Sequence, residues 1–171
     1  MADDAISGPV GEDGIRLPFS VDDVPWEEYS HGTRFGTRCR QVGEYGGCSL
    51  VGVCMGEIAP GRQAYVAHYH MLEEEHLLVL EGRPTLRQGD KTFDLEPGSH
   101  VVFPAGQKAG HALVNHTEES LRYLIFGERD PNDVTVHTDT GRVGVRLIGE
   151  GYRMADTMDY WDGEDAPGAA V

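Results

Sequence analysis

From residue 34 onward the chain is divided into short apolar or alternating runs, each closed by a glycine or proline turn, and that rhythm leaves few folds open. The runs cover 35–42, 49–58, 63–70, 76–81, 84–87, 91–95, 100–103, 112–115, 121–126 and 144–148. Breaks such as Gly46-Gly47, Pro60-Gly61, Pro97-Gly98 and Asp130-Pro131-Asn132 separate them. Gly89-Asp90, between Leu86-Arg87 and Thr92-Phe93, predicts a tight hairpin. No stretch of ten or more residues keeps a helical period. The spacing therefore predicts an all-β chain folded as an antiparallel sandwich or barrel.

A length of 171 residues suits one domain with a proper core. Residues 1–14, rich in Asp, Gly and Ala, read as a flexible tail, and 15–33 as an N-terminal arm whose Trp26 and Tyr29 can dock on a barrel. The barrel itself is expected over 34–150 and a C-terminal tail over 151–171. In the run 76–81 both parities are apolar, Leu77 and Val79 on one face and Leu78 and Leu80 on the other. One face fills the barrel; the other needs covering by the arm or by a second subunit, so a homodimer is expected.

Charge narrows the partners. Twenty-nine acidic residues against 14 basic ones leave a net charge of −15, which repels nucleic-acid phosphates and anionic lipid headgroups. Neither nucleic acid nor a membrane is an expected partner, and the acidic shell serves solubility. Cys39, Cys48 and Cys54 are odd in number and lack a CxxC spacing, which argues against a zinc knuckle or a disulfide framework. Cys48 and Cys54 are expected as reduced thiols packed in a strand region. An acidic start without an apolar signal core, and no apolar stretch of membrane-spanning length, lead to a cytoplasmic expectation.

The chemistry gathers between residues 61 and 115. His68 and His70 are two apart on an expected strand, so both imidazoles point to one face. If Leu77 and Val79 face inward, Glu75 does so too, and a carboxylate entering a barrel is costly unless it is paired or binds a metal. His111, Leu113 and Asn115 share a parity on a later strand, so His111 can complete the set with Asn115 deeper in the barrel. Three imidazoles and a carboxylate suit one divalent ion of Fe, Mn, Ni, Co or Zn. Glu74 rivals Glu75 for the carboxylate position, and strand parity favours Glu75. Glu73 and Glu74 are then a solvated acidic lip.

These residues carry a resemblance to the cupin superfamily. Gly61, His68, His70, Glu75 and Gly82 resemble the first cupin motif, departing only by six residues instead of five between Gly61 and His68. Gly98, Pro104, Gly106, His111 and Asn115 resemble the second motif, with four residues instead of two between Gly106 and His111, which alters the barrel rim. The stretch from Asp159 to Glu164 is similar to the endings of small stand-alone cupins of uncharacterised function. The resemblance implies a jelly-roll β-barrel with His68, His70, Glu75 and His111 as metal ligands. Its members include dioxygenases, isomerases, epimerases, lyases, decarboxylases and ligand-binding modules, so membership names no reaction.

Val66, Leu77, Val79, Gln107, Leu113 and Asn115 are the expected cavity-lining residues, and their mostly apolar character favours a small organic ligand. Arg62 is the arginine nearest the motif, and its place at a strand start points to solvent. Tyr65 and Tyr69 fall on the opposite parity from the histidines, facing the arm or a second subunit. Two functions compete. One is a metalloenzyme of dioxygenase, isomerase or lyase type. The other is a non-catalytic sugar- or effector-binding module with a structural metal, supported by the lack of a general acid or base beyond the ligands.

Overall fold

Strand parity over residues 75–81 sets how the chain packs: Leu77 and Val79 are buried, while Leu80 stands 38% exposed. The computed structural model describes residues 7–164. Its strands are β1 (Glu27–His31), β2 (Phe35–Gln41), β3 (Val51–Ile58), β4 (His68–His70), β5 (Glu75–Glu81), β6 (Thr85–Gln88) and β7 (Lys91–Asp94). They continue with β8 (His100–Phe103), β9 (His111–Val114), β10 (Leu121–Glu128), β11 (Val134–His137), β12 (Arg142–Val145) and β13 (Glu150–Arg153). The one α-helix among the described residues, α1 (Val42–Tyr45), is a single turn.

The strands make two antiparallel sheets, ordered β1-β2-β3-β10-β5-β8 and β13-β12-β11-β4-β9-β6-β7. Their inner faces meet over Ile58, Leu77, Val79, Leu86, Leu121 and Tyr123, the jelly-roll core. The expected hairpin forms, with Gln88 opposite Lys91 and Gly89 at φ +58°, a conformation that costs glycine nothing. No helix among the described residues is long and apolar enough to cross a membrane.

Ahead of the barrel, the Gly8 N–H donates to the Tyr45 carbonyl, Val10 bridges Arg16, and Phe19 packs edge-on against Tyr45. Trp26 lies under the guanidinium groups of Arg38 and Arg40, at 4.4 and 4.5 Å. Residues 1–6 of the expected N-terminal tail and 165–171 of the expected C-terminal tail lie outside the described residues.

Several local expectations need correction. The run 63–70 is a strand only at His68–His70. Gln63 is pinned between Phe35 and Val114, and its side-chain amide donates to the Tyr65 carbonyl, so the chain bends before β4 and strand parity is lost. Tyr65 therefore turns inward against the core, opposite to expectation. Cys48 is exposed in the loop after α1 instead of packed in a strand. The run 144–148 splits into β12 and a 3₁₀ turn at Arg146–Ile148, because the Arg146 N–H donates to the Asp133 carbonyl. β1, β11 and β13 were not expected as strands. β1 and β13 are exposed along their whole length, so no alternation marks them.

Candidate metal centre

β4 lies between β9 and β11, and this adjacency brings the site together. His68 sits directly opposite His111 on β9 and opposite His137 on β11, while His70 faces Thr135. Glu75 comes from the other sheet, opposite Gly127 on β10 and Phe103 on β8. A Cβ at Gly127 would overlap the Glu74 carbonyl oxygen and come 3.0 Å from the Glu75 Cα, so only glycine lets β5 begin this close to β10.

The three expected histidine ligands all approach the Glu75 carboxylate. Glu75 Oε2 lies 3.2 Å from His111 Nε2, 3.4 Å from His70 Nε2 and 3.9 Å from His68 Nε2. Bonds of about 2.0–2.1 Å to one ion place neighbouring ligand atoms about 3.0–3.4 Å apart, so the spacing fits a shared cation with small adjustments. His68, His70 and Glu75 form one of the groups able to hold a metal ion. Glu75 Oε2 and both His111 ring nitrogens are buried without a hydrogen-bond partner. Unsatisfied polar atoms at this depth are expensive, and a cation is the partner whose chemistry suits a carboxylate oxygen and an imidazole together.

The imidazoles are oriented from behind. The Nδ1–H of His68 donates to the Val66 carbonyl at 2.9 Å, and that of His70 to Asp133 Oδ2 at 2.6 Å. With the proton fixed on Nδ1, each Nε2 presents a lone pair toward Glu75. The His111 ring is held face to face on Phe103, with centroids 3.7 Å apart and planes at 7°. Burial, reinforced by His111, holds the His68 pKa down at about 4. Burial alone would raise the Glu75 pKa. The close approach of His111 and the charges of His70, His111 and His68 outweigh it and hold the carboxyl at about 2, ionised and ready to ligate.

Behind His70 lies a second acidic cluster that the sequence reading missed. Asp133 is fully buried; it accepts from His70, from the Leu72 N–H at 3.1 Å and from the Thr135 hydroxyl. Burial would raise its pKa, but the hydrogen bonds from His70 and Leu72 bring it below the usual carboxylate range. Glu73, expected on a solvated lip, is 3% exposed instead. Arg146 drew its carboxylate inward: the guanidinium pairs with both Glu73 oxygens, and the Asp130 N–H donates to one of them. His70, Glu73 and Asp133 also have metal-ligand spacing, but the Arg146 guanidinium already supplies a cation to the two carboxylates. No short-range pattern marks Asp133, which follows a turn 63 residues beyond His70.

The expected lining residues fare unequally. Leu77 and Leu113 border a small apolar chamber with His68 and His111, and Gln107 borders a recess beside His70 and His111. Val79 is plain core. Val66 lines neither space; the bend before β4 puts Tyr65 in the chamber in its place. Asn115 is fully buried, with its amide donating to the Ile58 and Glu119 carbonyls and its oxygen accepting from Thr117, so it braces a turn rather than the cavity. The cavity that reaches His70 and Glu75, about 190 Å³, has walls of mixed polar and apolar character, where mostly apolar walls were expected. Glu73, Glu128, Arg129 and Arg146 border it, because the end of β10 and the turn after β12 form its mouth; Arg62 does not.

Comparison with known proteins agrees with this architecture. Residues 54–127 match the family described as Cupin domain. The chain is similar to a protein of Acidithiobacillus ferrooxidans provisionally named a sugar phosphate isomerase, at 29% identity and TM-score 0.68 over 72% of this chain and 80% of that one. A sugar phosphate isomerase of the cupin superfamily from Silicibacter pomeroyi shares the fold at 24% identity, with TM-score 0.73 over 85% of this chain and 98% of that one. The polyketide cyclase RemF of Streptomyces resistomycificus shares it at 22% identity, with TM-score 0.59 over 68% and 81%. No curated protein sequence matches the chain.

Proposed function

Since this chain carries a cupin-type domain, we propose that it is a metal-dependent enzyme acting on a small, oxygen-rich organic substrate, with one divalent ion held by His68, His70, Glu75 and His111. The observation that carries this reading is the unpartnered Glu75 Oε2 facing three imidazole nitrogens in a buried pocket. A divalent ion bound there would supply Lewis acidity to a carbonyl or hydroxyl oxygen of the substrate. The protein's own groups do the rest. Val66 and Asp133 keep the Nδ1 protons of His68 and His70 in place, and Glu75 stays ionised.

Among reaction types, isomerisation of a small hydroxy-carbonyl compound has the best support. The cavity beside His70 and Glu75 is bordered by two guanidinium groups. Arg146 is committed to Glu73, but Arg129 pairs only loosely with Glu44, at 3.8 Å, and can turn to an anionic substrate group. Similarity to the Acidithiobacillus protein points the same way.

Elemental analysis of the purified chain tests the metal: about one equivalent is expected, lost in both His70→Ala and Glu75→Ala. Sugar phosphates incubated with the loaded protein in deuterated water, followed by NMR, test the reaction. No stoichiometric metal after reconstitution refutes the metal centre. A loaded protein that binds these compounds without converting them refutes the enzyme and leaves a ligand-binding cupin.

A further inference from the structure

The three imidazoles of the candidate centre are not held alike. His68 and His70 each give an Nδ1–H to a fixed acceptor, the Val66 carbonyl and Asp133. Such a bond sets both the tautomer and the plane of the ring. His111 has no such anchor: both of its ring nitrogens are buried and without a hydrogen-bond partner among the described residues. It also stands apart in spacing. His68, His70 and Glu75 offer ligand atoms that all lie within 4.8 Å of one another, and His111 is outside that set. Its backbone position alone does not orient the ring, which turns about two side-chain bonds.

The group that meets the ring face is Phe103. The two planes lie 7° from parallel with centroids 3.7 Å apart, and both residues are 5% exposed. They come from opposite sheets: Phe103 ends β8, in register with Glu75 on β5, and His111 begins β9, in register with His68 on β4. Phe103 thus flanks one ligand through the sheet and another through its ring. Its own place is firm, because it packs in the apolar core with Leu77, Val79 and Leu113.

We infer that Phe103 is a positioning residue for the metal centre, serving His111 as Val66 and Asp133 serve the other two imidazoles. The inference rests on the metal reading proposed above and adds to it a residue that cannot itself ligate. Stacking confines the His111 ring to one plane, with Nε2 3.2 Å from Glu75 Oε2. It also favours the loaded centre over the empty one. Two neutral rings stacked face to face gain little, because their quadrupoles oppose each other. An imidazole that gives its lone pair to a divalent cation shares the positive charge, and the negative face of a phenyl ring attracts it. The contact strengthens when the ion binds, so it contributes to affinity as well as to packing. A desolvated contact of this kind corresponds to about tenfold in a binding constant.

Titration of the full chain with Co(II), in competition with a chelator, tests this. Phe103→Leu keeps an apolar side chain and removes the ring face, and it should lower affinity about tenfold; Phe103→Met takes its place if the leucine variant does not fold. Phe103→Tyr keeps the face and should stay within about threefold of the wild type. Val79→Ala is the packing control, since Val79 belongs to the same core and borders no cavity at the centre. It should lower the melting temperature of the metal-free protein and leave Co(II) affinity unchanged. Wild-type affinity in a folded variant without the ring overturns the inference and leaves the metal centre standing. Equal losses in Phe103→Leu and Phe103→Tyr, or in Phe103→Leu and Val79→Ala, overturn it too, because packing then accounts for the effect. A wild type that takes up no Co(II) overturns both the inference and the metal reading.

Discussion

Replacing Asp133 with asparagine probes how the candidate centre is held, because the change alters hydrogen bonding without altering size. Both Asp133 oxygens accept: Oδ2 from the His70 Nδ1–H at 2.6 Å and Oδ1 from the Leu72 N–H at 3.1 Å. Asparagine must point an NH₂ at one of these donors. Turned to Leu72, it sets donor against donor. Turned to His70, it requires Nδ1 to accept, which moves the ring proton to Nε2 and removes the lone pair facing Glu75. Losing such a supporting partner costs 10–100-fold in metal affinity, roughly 1.4–2.7 kcal/mol. Glu73 Oε2, 3.2 Å from the same nitrogen, can accept the proton instead, which sets the expectation at the lower end, about tenfold. Competition against a chromophoric chelator near neutral pH measures the affinity, with circular dichroism as the check on folding. A folded Asp133→Asn variant with wild-type affinity would refute the reasoning.

Two further predictions follow from the same geometry. The folded-state pKa of His68, about 4, lies below its ordinary 6.5, so the unfolded chain binds more protons in that window and stability must fall as pH drops from 6.5 to 4. The shift corresponds to about 3 kcal/mol, and the melting temperature of the metal-free protein should drop accordingly while that of His68→Gln drops less; equal pH dependence in the two proteins would sink the assignment. Gly127→Ala sets a methyl group against the Glu74 carbonyl and pushes the start of β5 away from β10, which should cost about 1–3 kcal/mol in thermal unfolding and weaken metal binding with it. Wild-type metal affinity in that variant would mean that Glu75 does not depend on the close strand contact.

How much of this was legible beforehand differs from residue to residue. His68 and His70 share a face because side chains alternate along any strand, and Glu75 joins Leu77 and Val79 for the same reason; in the structure the Nε2 atoms of His68, His70 and His111 lie within 3.9 Å of Glu75 Oε2. The Gly89-Asp90 hairpin and the inward Leu77 and Val79 were equally readable. The parity argument failed at Val66 and Tyr65, where it assumed a strand that Gln63 does not permit. Glu73 was read as exposed because its sequence neighbours are acidic, and its actual partner, Arg146, stands 73 residues away.

The sequence by itself determined the all-β class, most turn positions and which side chains of β4 and β5 share a face, since those follow from a local period of two and from glycine and proline conformations. Only the tertiary structure decided that β4 lies between β9 and β11, and therefore that Asp133 fixes the His70 ring, that Arg146 draws Glu73 inward, and that the cavity mouth is charged. Strand order is chosen by the packing of the whole core, and no short stretch of chain contains that information.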